Sequence, residues 1–545
     1  MPLTQTRWPF FVALTAGVLT VALFWYFVLS DPKGEAVPAS GGHYVEGVTQ
    51  APDRLNPLFT GTNDADADVA SLVFSGLVQL GPDGTPEPDL AERWEITGNG
   101  QSYVFHLRRG IDWHDGQAFG AEDVVFTFKA ITDPGFKGDP ALADLMQGVV
   151  VTARDALTVE FKLEQAYAPF LAYLTLGILP KHLLQNLDAN QLFNAEFNAR
   201  PVGTGAYRFG KRTDHGVQLE SNSTYYLGPP RISTIEFRTY PDSGALAEAL
   251  RSGQVDGALL GPATSPDTLA ALSGDPSLAV HDLVSNSYNT IYMDTRSPLF
   301  SDKTVRRALF QAINQQSLID DSAGGRGVPA TTGISPNSWA YTPPDMPPFD
   351  PGAAASALEL AGWQRGRDGV RQKGGLRLAF AISTTNEAAR VAVAEDLVRQ
   401  WRAIGAEVQV RPLEAASFIT DELLPRKFQA ALAAIDPGPD PDPYPFWHSS
   451  QIAPPGRNLS DYSDPNIDDR LERGRQTTET ARRKQLYAEF QDYLIAATPQ
   501  IPLYAPVYAY VQRTNVQGFA GGLLFGPSCR FRNVREWYVR TRVQA

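Results

Sequence analysis

The chain has 545 residues, 43% of them hydrophobic and 20% charged, which excludes a disordered polypeptide and is too much for a single core. A formal net charge of −13, with no long basic run, argues against nucleic acid or an anionic membrane surface as the main partner. A lone cysteine, Cys529, excludes an internal disulfide framework and a thiolate metal cluster; close to Phe525 and Phe531 it reads as a small buried apolar residue.

Phe10 to Leu29 contains no charge and is long enough to cross a bilayer as a helix. Arg7 before it and Asp31 after it favour an N-terminus left in the cytoplasm. A cleaved signal peptide and a retained anchor compete here. The aromatic run Phe24-Trp25-Tyr26-Phe27 near its end favours the anchor, while Val37-Pro38-Ala39 offers a small-residue cleavage site. Either way the rest of the chain is expected outside the cytoplasmic membrane. Lys33 to Gly42 lacks periodicity and reads as a tether. A first strand is predicted at Tyr44 to Val48, left through a turn at Leu55-Asn56-Pro57-Leu58-Phe59. Asp64, Asp66 and Asp68 alternate as in a calcium loop, but Val69 stands where the sharp-turn glycine belongs and Ser75 where the bidentate glutamate belongs. They are expected instead to crowd the start of a helix ending near Phe74.

In Ala91 to Lys129, Tyr103, Phe105 and Leu107 alternate as in a strand, Asp115-Gly116 marks a turn, and Val124, Val125 and Phe128 repeat at helical spacing. A hairpin is predicted around Asp155-Ala156 and a short helix over Ala168 to Leu174. The glycines of Gly203-Thr204-Gly205-Ala206-Tyr207 invite a phosphate-loop reading, yet Tyr207-Arg208-Phe209 continues as a strand, so no phosphate cradle is expected. Gly253 caps a helix. Further on, Ser301 can cap an amphipathic helix carrying Val305, Ala308, Leu309, Ala312 and Ile313, with Arg306-Arg307 on its solvated or paired side. Ile334 to Pro351 is an irregular loop in which Trp339 and Tyr341 either face a ligand or pack locally. The strand at Leu376 to Ile382, the helix Glu387 to Ile404 and the strand at Val408 to Val410 imply a parallel sheet with covering helices. A buried strand, Phe428 to Ile435, then runs into Asp436-Pro437-Gly438-Pro439-Asp440-Pro441-Asp442-Pro443-Tyr444-Pro445-Phe446-Trp447. A helix from Thr480 to Ala497 and a crossover strand through Tyr504 follow.

Several of these stretches resemble, in order, the family 5 extracellular solute-binding proteins that serve peptide and nickel ABC importers. The resemblance is carried by Trp94, Asn99-Gly100, Leu107-Arg108 and His114-Asp115-Gly116, by Gly203-Thr204-Gly205-Ala206-Tyr207 (relatives usually have Pro in place of Ala206), and by the Asp-Pro-Asp run after Ile435. It implies an α/β, two-lobed periplasmic-binding-protein-like fold of the large three-domain type, preceded by one N-terminal transmembrane or signal helix. Residues 1–42 would be the anchor or signal segment plus tether, 43–290 lobe I with an inserted subdomain at about 82–200, 291–498 lobe II, and 499–545 the return to lobe I. The chain would cross between lobes near Ser287 to Tyr292 and again near Thr498 to Tyr504. By the same resemblance, the backbone at Thr60-Gly61-Thr62 would pair with an extended ligand, Asp436 or Asp440 would hold its α-ammonium, and Tyr444 and Trp447 would stand at the cleft. No lipid-acceptor cysteine follows the N-terminal segment, unlike in many relatives.

No metalloprotease, nucleophile-elbow or phosphate-loop motif is present, and the seven histidines are scattered. No enzyme activity, cofactor or metal site is therefore expected. The reading is an extracytoplasmic receptor, a monomer that closes two lobes on an oligopeptide and presents it to ABC permease subunits. A receptor for an oligosaccharide, opine-like compound or metal chelate, a membrane-tethered sensor and a cleft hydrolase are the alternatives.

Overall fold

The computed structural model describes residues 35–61 and 63–544. Phe10 to Leu29, and with it the choice between anchor and signal, lies outside them; among the described residues no helix is long and apolar enough to cross a membrane. A mixed sheet of 12 strands runs through the described chain. Its central member, Gln500–Arg513, is 14 residues long. Near its start it pairs with Tyr288–Met293, which continues the sheet through Ala430–Ile435, Ala379–Thr385 and Glu407–Leu413. Towards its end it pairs with Leu278–Val284 and Gly257–Leu260 and so joins His43–Val48, Thr234–Thr239, Gly216–Ser221 and Tyr207–Thr213. The sequence pattern carries this strand only to Tyr504, because its prolines read as terminators. Pro502 is accommodated at a register irregularity opposite Asn289 and Thr290, and Pro506 at the changeover between the two sets of partners.

In the half that holds Tyr288–Met293, the parallel strands Ala379–Thr385 and Glu407–Leu413 are joined by the helix Ala388–Ala403, whose Val393, Leu397 and Trp401 are buried four apart, as their periodicity predicts. In the other half, Ala91–Thr97, Ser102–Leu107, Thr158–Lys162 and Val150–Asp155 form a separate antiparallel sheet. The helix Ala121–Ile131 covers it, with the Phe128 and Phe161 rings edge to face at 5.0 Å.

Two of the motif stretches hold each other. The Gly203 amide donates to Nδ1 of His114 at 3.2 Å, which leaves the Nε2 hydrogen for the Gly205 carbonyl at 3.0 Å. A Cβ on Gly203 would stand 1.9 Å from the Val73 carbonyl oxygen and one on Gly205 2.4 Å from that of Leu72. The glycines therefore serve close packing against the end of the helix Asp64–Val73. Burial drives the His114 imidazole down to about 4.

Three expectations are corrected. Glu35–Ala39, inside the stretch read as a tether, is a strand paired with Arg540–Gln544; an isolated two-stranded ladder needs no apolar alternation, so periodicity could not reveal it. The helix Lys303–Gln311 is capped by Asp302 rather than Ser301, through a carboxylate that accepts from the Thr304 amide. Arg306 is only 4% exposed. Its guanidinium donates to the carbonyls of Ala497 and Thr498 and so satisfies the end of the helix Thr480–Ala497. The three alternating aspartates stand at the start of the helix Asp64–Val73, as expected, and differ in their surroundings. Asp66 accepts from the amides of Asp53 and Arg54, Asp64 is accessible, and Asp68 is buried against Arg530.

That last contact ties the strand His43–Val48, the helix Asp64–Val73 and the turn at Pro527–Phe531 together. Arg530 donates to Asp68 at 2.6 and 2.8 Å and to Glu46 at 2.8 Å, and Glu46 accepts in addition from Tyr44 and Tyr510. Burial pulls the Arg530 pKa down, but the two carboxylates outweigh it and raise it above the ordinary arginine value. Arg530→Met leaves both carboxylates buried without a counter-ion and is expected to cost about 3–5 kcal/mol, read as a lowered denaturation midpoint; an unshifted midpoint would show the triad to be dispensable. His114 gives a pH dependence. Its folded pKa lies below the ordinary 6.5, so the unfolded chain takes the proton first and stability is lost as pH falls from about 6.5 towards 4. At pH 5 the loss is about 2 kcal/mol, and it should shrink when His114→Gln and wild type are compared at pH 7 and pH 5.

Candidate functional site

The buried strand Ala430–Ile435 delivers Asp436 to the surface, where its carboxylate accepts from the Gly438 amide at 2.9 Å. Gly438 takes φ +77°, a left-handed turn that suits glycine. Its carbonyl accepts from the Asn286 side chain at 2.7 Å, and the Asn286 amide donates to Leu524 at 2.8 Å. Asp436 thus stands where the two halves meet. Burial pushes the Tyr508 phenol up, and the nearby charges of Asp64 and Asp436 push it further. Asp64 opens the helix after Thr60, so carboxylates from both halves approach one tyrosine, and among the described residues neither is in an ion pair. Asp64 is accessible but shielded from much of the bulk water, which raises its pKa against the pull of Arg530.

Asp440 and Asp442 are placed differently. Asp440 is buried and bridged by Arg483 at 2.7 and 2.9 Å. Arg483 also reaches the Tyr487 hydroxyl and the Gly474 carbonyl, and lies 5.1 Å from the Trp339 ring centroid. Asp442 pairs with Arg475 at 2.7 Å. The Arg475 guanidinium sits 3.8 Å from the Tyr444 ring and 5.2 Å from that of Tyr167 on the inserted sheet's side. Of the three acids in this run, Asp436 meets water and the next two meet arginines.

The remaining residues expected at the cleft divide in the same way. Trp447 is 1% exposed and packs on Phe490 inside its own half, which corrects its expected place at a ligand surface. Tyr444 is half-buried, stacked on His448 at 4.1 Å and covered by Arg475. The Trp339 ring faces Arg483 and Tyr487, and the Tyr341 hydroxyl is 3.0 Å from that of Thr331, so both pack locally. Gly61 is exposed with φ +54°, and Thr62 lies outside the described residues.

Thr60 lies in the wall of a cavity of about 670 Å³ that also includes Pro439. The cavity passes along the helix Asp64–Val73 to Asp89, Cys529, Arg532 and Arg535. Cys529, expected in the interior, is half-buried in this wall. Asp89 is buried, accepts from the Tyr226 hydroxyl, and is lifted by burial to about 6. None of Tyr508, Asn286, Asp89 or Arg532 carried a sequence signal. Each is an ordinary residue in a strand, turn or loop, brought here by pairing between distant segments. Among the described residues no group of three or more His, Cys, Asp or Glu side chains could hold a metal ion.

The family model described as "Bacterial extracellular solute-binding proteins, family 5 Middle" matches residues 85–454. The oligopeptide-binding protein AppA of Bacillus subtilis is 27% identical over 520 residues, 94% of each chain. Its structure in complex with a nonapeptide superposes with a TM-score of 0.68 over 92% of this chain and 100% of that one, at 26% identity. The dipeptide-binding protein of Escherichia coli is 25% identical, covering 86% of this chain and 90% of its own. NikZ from Campylobacter jejuni, solved in complex with Ni(L-His), has a TM-score of 0.69 at 28% identity, over 91% of this chain and 99% of that one.

The geometry separates the two candidate acids by stability. Asp440→Asn leaves the buried Arg483 without its counter-ion and is expected to cost about 3–5 kcal/mol, whereas Asp436→Asn leaves the melting temperature unchanged. Equal melting temperatures for the two variants would contradict this assignment.

Proposed function

Since the chain belongs to the family 5 bacterial extracellular solute-binding proteins, we propose that it is the extracytoplasmic receptor of an ABC importer and captures oligopeptides between its two halves. The observation that carries this reading is Asp436: an accessible carboxylate, in no ion pair among the described residues, at the end of a central strand and beside Tyr508 of the other half. A peptide's α-ammonium supplies the missing charge in a charge-assisted pair. Backbone groups near Thr60 and Gly61 offer strand-like pairing that does not depend on the peptide's side chains. A solute touching both halves binds the closed arrangement better than the open one and so shifts the population that the permease engages.

The receptor acts outside the cytoplasmic membrane, and the membrane permease subunits are its partners. A metal chelate is the second reading, favoured by the likeness to the Ni(L-His) complex of NikZ. Native mass spectrometry of solute co-purified with the protein separates the two: peptides support the first, a metal complex the second. For the acid itself, Asp436→Asn is expected to weaken binding of peptides with a free N-terminus at least tenfold while leaving N-acetylated peptides unaffected, measured by calorimetry. Equal affinity of wild type and variant for the free peptides would remove Asp436 from the site.

A further inference from the structure

We propose that the corner where the strands Glu35–Ala39 and Arg540–Gln544 pair is a docking face for the anionic headgroups of a phospholipid bilayer. The inference goes beyond solute capture. It concerns how the receptor body lies on its membrane, and it takes Phe10 to Leu29 as a retained anchor.

The two strands run antiparallel, with Val37 opposite Arg542 and Ala39 opposite Arg540. Only residues 30–34 separate this ladder from the uncharged segment Phe10 to Leu29. Fully extended, they reach about 20 Å at most, which keeps the ladder at or just above the headgroups of a bilayer crossed by that segment. A cut after Ala39 would remove one of the two strands, so the folded ladder and an intact N-terminal segment belong together.

The ladder is basic. Arg540 and Arg542 stand two apart on one strand, so their side chains leave the same face, and both are exposed. Arg231 comes up beside them. Its carbonyl accepts from the Gly41 amide at 2.7 Å, and a Cβ on Gly41 would stand 3.1 Å from Nη1 of Arg540. A cavity of about 360 Å³ is lined there by Pro38, Gly228, Arg231, Arg535 and Tyr538. The Arg231 guanidinium lies 5.9 Å from the Tyr538 ring.

The carboxylates of the region are used elsewhere. Glu236 pairs with His43 and Arg238, and Glu536 with Arg535, whereas among the described residues Arg231, Arg540 and Arg542 enter no ion pair. Glu35 is the one acid of the two strands, and it stands at the far end of the ladder, opposite Gln544. In a chain of net charge −13, three guanidinium groups without carboxylates at one corner are a local exception. Arginine meets phosphate oxygens with parallel N–H bonds, and a tyrosine beside it suits the boundary between headgroups and water. The negative charge of the rest of the body is repelled by the same surface, so the corner also orients the receptor.

The test reconstitutes the full chain in nanodiscs of phosphatidylcholine alone or mixed with phosphatidylglycerol, and follows backbone hydrogen exchange. Amides of residues 228–231 and 538–542 should exchange at least threefold more slowly in the anionic discs. The difference should vanish at high salt and in the double variant Arg540→Gln, Arg542→Gln, whose melting temperature should stay that of wild type. Should the double variant fail to fold, Arg231→Gln carries the same expectation. Equal exchange in the two lipids overturns the proposal, as does slowing that the variants retain. Equal slowing by soluble phosphate in phosphatidylcholine discs overturns the lipid assignment in favour of a free-anion site. Loss of residues 1–34 from the mature chain, read as its intact mass, removes the anchor and overturns the proposal while leaving the receptor reading standing.

Discussion

The strand Gln500–Arg513 is hydrogen-bonded to one half of the molecule near its start and to the other near its end, and this sharing governs what the halves can do. The changeover at Ala505 to Val507 lies directly beside Ser285 to Ser287, and the Ser285 amide donates to the Pro506 carbonyl at 2.8 Å. Two adjacent extended segments, cross-linked at the point of passage, bend about a line across them more readily than they stretch or slide. On the proposed function, this passage is the hinge about which the halves open and close. The groups flanking the passage are Asp436 and Gly438 on one side and Tyr508 and Leu524 on the other. A solute site placed there is read out by closure with little geometric loss.

Within that frame, burial sorts the carboxylates. Asp68, Asp440 and Asp442 were withdrawn from water and each met an arginine at 2.6 to 2.7 Å. An unpaired charge in such a place would cost several kcal/mol, roughly the whole margin by which a domain is stable. Asp436 and Asp64 stay accessible, so leaving them outside an ion pair costs the fold little and keeps a negative potential at the junction. The same contrast holds for the arginines: Arg306, Arg483 and Arg530 are spent on carbonyls or carboxylates, while most donors of Arg532 are not.

Local pattern made much of this legible. The alternation of Tyr103, Phe105 and Leu107, the four-residue spacing of Val393, Leu397 and Trp401, and the Gly253 cap all act through short-range geometry that a sequence displays directly. The order of the motifs carried the family. What stayed hidden depends on partners far away in the chain. Asp440 and Asp436 look alike in sequence, and only Arg483, 43 positions on, tells them apart. Arg306 read only as solvated or paired because the carbonyls it serves belong to a helix ending nearly two hundred residues later. The tail beyond Tyr504 gave no pattern at all, since its short turns are held by Arg530 and by the long strand rather than by periodicity.

The seam between the inserted sheet's side and the opposite half decides how strongly closure depends on a solute. Its direct contacts include Ala168 donating to the Arg475 carbonyl at 2.6 Å, Trp339 donating to that of Asp83 at 3.1 Å, and Arg475 lying over Tyr167. Each such hydrogen bond is worth about 0.5–1.5 kcal/mol net and the cation–π contact about 0.5–2, so these three contribute roughly 2–5 kcal/mol before the entropy of ordering is subtracted. Moving a two-state equilibrium from one part in a hundred to its converse takes about 5.5 kcal/mol, and a micromolar solute brings about 8. These three contacts alone supply less than that shift takes, so on the proposed function the solute completes the closure. Stronger apolar packing across the seam would close the receptor empty, and without the Arg475 contacts the solute would have to supply the alignment as well.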